Sequence, residues 1–189
     1  LMLAAALLII AIVFAFIKLP EIEGHKEENN PVNETRSLTQ APHLTMGVFA
    51  IFCYVGGEVA IGSFLVNFFG EAHIAGLEEH AAAALISYYW GGAMVGRFIG
   101  SAALQKIAPS KALAFNACMV IALLLVTIFT QGNVALYAVL AIGLFNSIMF
   151  PTIFSVAIER LGSLTSKGSG WLCLAIVGGA LVPLLQGYI

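Results

Sequence analysis

Residues 54–70 read YVGGEVAIGSFLVNFFG, a run of apolar and small residues broken by one carboxylate, Glu58. No other charged residue lies between His43 and Glu71. Followed back to Leu44, the run exceeds the roughly 20 apolar residues that a helix needs to cross the hydrocarbon layer. Six stretches of the chain reach that length: about 1–19, 44–69, 81–105, 112–130, 134–157 and 169–189. Transmembrane strands alternate in segments of about ten residues, whereas these runs are continuous. The sequence therefore predicts an all-α membrane protein, a bundle of six transmembrane helices.

Composition supports this and removes several function classes. Of the 189 residues 60% are hydrophobic and 10% charged, against about 25% charged in a soluble domain; the mean hydropathy is +0.98. A net charge of −2 offers no basic surface for nucleic acid. Cys53, Cys118 and Cys173 lie inside spans, too far apart for a metal motif, and read as small buried hydrophobes. His25, His43, His73 and His80 fall in connections or at span ends, which argues against haem ligation within the bundle. No filter motif, repeated pore charge, hydrolase motif or phosphate loop appears, so neither a channel nor an enzyme is expected.

The connections predict the topology. If the spans alternate, all eight Lys and Arg residues fall on one side. Lys18, Lys26 and Arg36 go with the first connection, Arg97, Lys106 and Lys111 with the third, Arg160 and Lys167 with the fifth. The positive-inside rule then makes connections 20–43, 106–111 and 158–168 cytoplasmic. The first of these, LPEIEGHKEENNPVNETRSLTQAP, is long and polar and reads as a boundary between two helical bundles. It contains Asn33-Glu34-Thr35, a glycosylation acceptor pattern that a cytoplasmic position would leave unused. The chain opens inside an apolar run with no basic leader, which argues against a signal peptide. It ends on VPLLQGYI, again inside a span. A piece of a longer membrane protein is the expectation.

Three stretches carry a family resemblance: YVGGEVAIGSFLVNFFG, YYWGGAMVGRFIGS, and FPTIFSVAIERLGSLTSKGSG followed by AIVGGALVPLLQG. Together with the charged linker they resemble the major facilitator superfamily, and within it the fucose:proton symporter family, particularly its glucose/galactose transporter branch. The resemblance covers most of residues 46–189. It implies a 6+6 helix fold built of two six-helix halves, with the spans here as helices 6 to 11. Residues 1–19 would be the last helix of the N-terminal bundle, 20–43 the central loop, and 44–189 a C-terminal bundle lacking its last helix. The implied function is secondary active import of a glucose-, galactose- or fucose-type hexose by alternating access in the plasma (inner) membrane. A proton or sodium ion would be the coupling ion, with no other cofactor. The implied partners are the sugar, the lipid bilayer and the missing N-terminal bundle, which would hold the family's coupling acids. GRFIGSAALQKIAPSK resembles a degenerate Gly- and Arg-rich loop between helices 8 and 9, but without any Asp. Arg97 and Lys106 are thereby candidates for a conformational switch, and equally read as orientation signals. Without the resemblance, a drug or amino-acid carrier of the same superfamily remains open.

Glu58 is the sharpest single signal. It lies about fourteen residues into its span, near mid-membrane, where insertion scales assign an acid a cost of about 2.5–3.5 kcal/mol. At helical spacing it shares a face with Tyr54, Gly62 and Leu65. It reads as a cavity residue or as a protonated donor between helices. Asn146 and Phe150 lie one turn apart on 134–157, directly before Pro151. An amide beside an aromatic ring suits a sugar's hydroxyls and its apolar face; helix packing is the alternative for Asn146. Tyr88, Tyr89 and Trp90 lie deeper than an interfacial belt requires, and Tyr89 and Trp90 join the candidates. Asn67 lies on the opposite side of an ideal helix from Glu58, and can join it only if span 44–69 is broken at Gly56, Gly57 or Gly62. Gly-Gly-Ala at 91–93 and 178–180, with Pro151 and Pro183, suits close packing and bending. The candidate substrate-binding set is Tyr54, Glu58, Asn67, Tyr89, Trp90, Asn146 and Phe150.

Overall fold

The computed structural model describes residues 41–189. Span 1–19, most of connection 20–43, Lys18, Lys26, Arg36, His25 and Asn33-Glu34-Thr35 lie outside the described residues. The described chain is helical: α1 Pro42–Gly70, α2 Glu79–Leu104, α3 Pro109–Phe129, α4 Asn133–Asn146, α5 Met149–Ile158, α6 Thr165–Ala175 and α7 Gly178–Tyr188. Prolines open α1 and α3 at the first helical positions, where a missing N–H breaks no helical bond.

Each of the five expected spans within these residues is found as helix, but the last two are interrupted. The span 134–157 is α4 and α5, parted at Ser147 and Ile148. Pro151 explains the position: it cannot donate to the carbonyl of Ser147, and its ring crowds that carbonyl. Side-chain hydroxyls bond backbone carbonyls on either side of the break, Ser147 Oγ donating to Leu144 O at 2.8 Å and Thr152 Oγ1 to Ile148 O at 2.6 Å. The last span is α6 and α7, joined by one tight turn. There Ile176 N, Val177 N and Gly179 N donate three residues back, at 3.2, 3.1 and 2.9 Å, the 3₁₀ pattern that marks a local change of direction. Pro42–Gly70, Pro109–Phe129, Asn133–Ile158 and Gly162–Tyr188 are long and apolar enough to cross a membrane. Helix α2 has the length as well, diluted by small residues and Arg97.

Helix α1 packs on α7, α5 and α2; α4 packs on α2 and α3. Two apolar cores result. One, near the α1–α2 and α3–α4 connections, gathers Leu65, Phe69, Tyr89, Leu136 and Ile142. The other, toward the opposite end, gathers Leu44, Ile51, Ile153, Ala157 and Leu172. Large apolar side chains elsewhere face outward, Phe98, Phe115 and Phe129 among them. That is the surface a bilayer accepts, since lipid tails are as apolar as Leu. One reading needs correction: Cys53, Cys118 and Cys173 are exposed free thiols rather than packed in a core. The weak polarity of Cys118 and Cys173 suits an outward position in hydrocarbon as well as a buried one, and Cys53 lines a cleft between α1 and α3.

Candidate functional site

Between the two cores lies a polar layer, and the helix interruption builds it. Asn146 is the last residue of α4, so its backbone carbonyl has no partner within the helix. The hydroxyl of Tyr54 on α1 donates to that carbonyl at 2.8 Å. The Asn146 side chain turns the other way, its Nδ2 donating to the Tyr89 hydroxyl of α2 at 3.3 Å. Three helices are thereby joined through one asparagine. Tyr89 is fully buried and Asn146 is 4% exposed, so these bonds form in a low-dielectric setting where an unmade bond is expensive. Gly143 permits the arrangement: a Cβ there would collide with Tyr89 O and lie 3.1 Å from its ring.

Glu58 lies one turn beyond Tyr54 and is half-buried. The two ion pairs among the described residues are at connections, His73 with Glu71 at 4.0 Å and Arg160 with Glu159 at 3.5 Å. Neither involves Glu58. Tyr54, Glu58 and Asn146 line one cleft of about 420 Å³ between α1, α3 and the α4–α5 junction. Ile61, Val120, Met149 and Ile153 supply its apolar walls. The cleft therefore offers carboxylate, phenol and amide oxygens as acceptors beside hydrocarbon, a combination suited to a small polyhydroxylated molecule.

The other candidates fall around this cleft. Tyr89 reaches it only through Asn146. Trp90, 51% exposed, meets Tyr89 edge-on with centroids 5.4 Å apart. Its ring edge lies 3.6 Å from where a Cβ on Gly62 would stand. Phe150 is half-buried and pairs with Phe154 at 6.2 Å, leaving the cleft wall to its neighbour Met149. Helix α1 is unbroken from Pro42 to Gly70, so Asn67 stays exposed on the far side from Glu58. Arg97 is exposed on α2, and Lys106 is exposed just past its end. The sequence reading omitted α3, whose Leu113, Ala117, Val120 and Ile121 form one wall; a uniformly apolar helix gives no signal of which face meets a cavity. It also omitted the Asn146 carbonyl, which Pro151 and the break upstream of it could have revealed. Among the described residues no cluster of His, Cys, Asp or Glu could hold a metal ion.

Paired, interrupted helices around a mid-depth polar layer define a multi-pass helical membrane protein. Residues 1–184 match the model of the Major Facilitator Superfamily, and the chain belongs to that family. It is 57% identical over 187 residues to a glucose/galactose transporter of Brucella abortus, covering 99% of this chain and 45% of that protein. It is 31% identical over 189 residues to the L-fucose-proton symporter of Escherichia coli, covering 98% of this chain and 43% of the symporter. A crystal structure of FucP, a Major Facilitator Superfamily transporter, in the outward conformation superposes with a TM-score of 0.83 at 30% identity. That match covers 97% of this chain and 45% of FucP. The chain thus spans less than half the length of the curated relatives it matches, and these relatives are transporters rather than enzymes.

Proposed function

We propose that this chain forms the greater part of the C-terminal bundle of a secondary active transporter that imports a hexose. Transport is by ion-coupled alternating access across the plasma (inner) membrane. What carries the reading is the acceptor-rich polar layer of Tyr54, Glu58 and Asn146 on one cleft between two apolar cores. The names of the relatives, glucose/galactose transporter and L-fucose-proton symporter, support the substrate class. In this reading Glu58 and Asn146 accept sugar hydroxyls, Tyr54 and Tyr89 hold Asn146 in place, and Trp90 and Phe150 offer aromatic faces at the edge of the layer. Connections 20–43, 106–111 and 158–168 face the cytoplasm, with Arg97 and Lys106 at the surface that rearranges during opening. An N-terminal bundle supplies the opposite wall. The coupling ion is a proton or sodium: relatives carry both names, including a sodium-dependent glucose transporter of Xenopus laevis at 30% identity over 145 residues.

The test is Glu58→Gln in the full-length transporter, reconstituted in vesicles. An amide replaces one acceptor oxygen by a donor, so sugar exchange and uphill accumulation should fall together. Loss of accumulation with exchange intact would assign Glu58 to coupling instead. Wild-type rates in both assays would remove it from the site.

A further inference from the structure

Glycine inside a helix is destabilising relative to alanine, because a freer backbone must be fixed and no side chain is packed. Two local reasons keep it there: a left-handed backbone, or a neighbour too close for a Cβ. Gly57 meets neither. Helix α1 runs unbroken through it, and the glycines with left-handed backbone are Gly76, Gly132 and Gly162. A Cβ built on Gly57 has no atom within 4 Å. Its neighbour Gly56 gives the contrast: a Cβ there would strike the side chain of Val182 and lie 3.1 Å from the Gly178 carbonyl. Packing of α1 on α7 explains one glycine of the pair and leaves the other unexplained.

Gly57 does line the cleft that holds Tyr54, Glu58 and Asn146. On the α1 side of that cleft Ala50, Cys53 and Gly57 follow one another at i, i+3 and i+7, a column of small residues. Tyr54 and Glu58 form the polar column beside it. Across the cleft α3 presents another small residue, Ala117. The room beside the carboxylate is therefore set by small side chains, and the residue directly before Glu58 has none.

We propose that Gly57 sets the size limit of the sugar this cleft accepts, an inference that rests on the sugar reading of the cleft. With hydroxyls held at Glu58 and Asn146, the neighbouring part of the sugar lies over the bare backbone of residue 57. A methyl group there takes space that the ligand uses and that no part of the described protein uses. One methylene more or less at an apolar pocket wall discriminates between ligands by about tenfold or more. A hexose should therefore feel the methyl more than the pentose of the same ring configuration, which lacks the exocyclic hydroxymethyl group.

The experiment uses the full-length transporter with every cysteine except Cys53 replaced. Cys53 is an exposed thiol one turn before Gly57 on the same column, so its labelling by N-ethylmaleimide reports occupancy of the cleft. D-glucose is compared with D-xylose, and D-galactose with L-arabinose. The transported hexose should slow labelling of Cys53. Gly57→Ala should raise the half-protecting hexose concentration about tenfold, raise that of the matching pentose less, and leave the thermal midpoint equal or higher. Gly170→Ala, at an exposed helical glycine whose Cβ also meets nothing within 4 Å, should leave sugar protection unchanged. A hexose that is exchanged without slowing Cys53 labelling would remove the sugar from this cleft, and the proposed site and this inference would fall together. Protection with an unchanged half-protecting concentration in Gly57→Ala would overturn this inference alone. So would an equal loss for hexose and pentose, an equal loss in Gly170→Ala, or a lowered midpoint, which would mean that another helix of the whole transporter packs on Gly57.

Discussion

The Asn146–Tyr89 bond separates holding the bundle together from binding sugar, because one partner lines the cleft and the other does not. In Asn146→Leu the Tyr89 hydroxyl, fully buried, loses its donor at 3.3 Å. In Tyr89→Phe the amide of Asn146 loses its acceptor. Orphaning one buried partner costs about 1–3 kcal/mol in soluble proteins. Interhelical hydrogen bonds in a membrane average nearer 0.6 kcal/mol and reach about 1.7. Each single change should therefore destabilise the full-length transporter by about 1–2 kcal/mol in SDS titration followed by circular dichroism. The double variant removes both partners, so its penalty should fall short of the sum by about 0.6–1.7 kcal/mol. Sugar affinity should behave differently. If Asn146 contacts sugar, Asn146→Leu weakens binding about tenfold, at 1.4 kcal/mol per decade. That factor should be smaller when Tyr89→Phe is already present, because Tyr89 then no longer holds the amide in place. Strictly additive stabilities would show that the bond contributes nothing. A double variant that regains both stability and affinity would refute the sugar contact and leave Asn146 a packing residue.

Gly143→Ala should destabilise by about 1–3 kcal/mol, because the added methyl drives α4 off the Tyr89 backbone; an unchanged midpoint in thermal unfolding would contradict the close approach. In a background lacking Cys53, Cys118 and Cys173, a thiol at Glu78 should label from outside and one at Ser163 should not. The reverse pattern would invert the topology drawn from the basic residues. Residues 1–189 reconstituted alone should show no concentrative sugar uptake, and uptake by them would end the two-bundle reading. Phe150→Ala should lower sugar affinity with little change in exchange at saturating sugar, if an aromatic face packs on the pyranose; an unchanged affinity would confine Phe150 to its contact with Phe154.

How much of this was legible depended on what kind of signal each residue gives. Span existence follows from apolar length, and the five spans within the described residues were found as helices within a few residues of their expected ends. Interruptions are harder, because proline marks a break displaced from itself. Pro151 parts the helix at Ser147 and Ile148, where its missing donor is felt, and that shift turns the Asn146 carbonyl into a free acceptor. The second break, at Ile176 and Val177, precedes Pro183 by more than a turn, so the proline does not account for it. It coincides with Gly178, where a Cβ would strike the backbone of Phe52, a tertiary contact no local pattern announces. Asn116 carried the same signal as Asn146, a lone amide in an apolar span. Only packing shows that Asn146 is the one that joins three helices.

Both interruptions meet α1 in its middle turns, and this bears on why they are tolerated. Tyr54 receives the end of α4 through its hydroxyl. Phe52 and Gly56 receive the start of α7, with the Gly178 carbonyl 3.1 Å from where a Gly56 Cβ would stand. Irregular backbone at membrane depth persists only where it is buried in protein or faces a cavity, and α1 provides the first condition for one break and both for the other. The helix doing this is itself uninterrupted over 29 residues. The acid at its centre, Glu58, follows directly after the turn that holds both breaks. A solute bound at Glu58 would therefore touch the unbroken helix on which both segmented helices pack. Differential contact of that kind is what a ligand needs in order to bias one conformation over another.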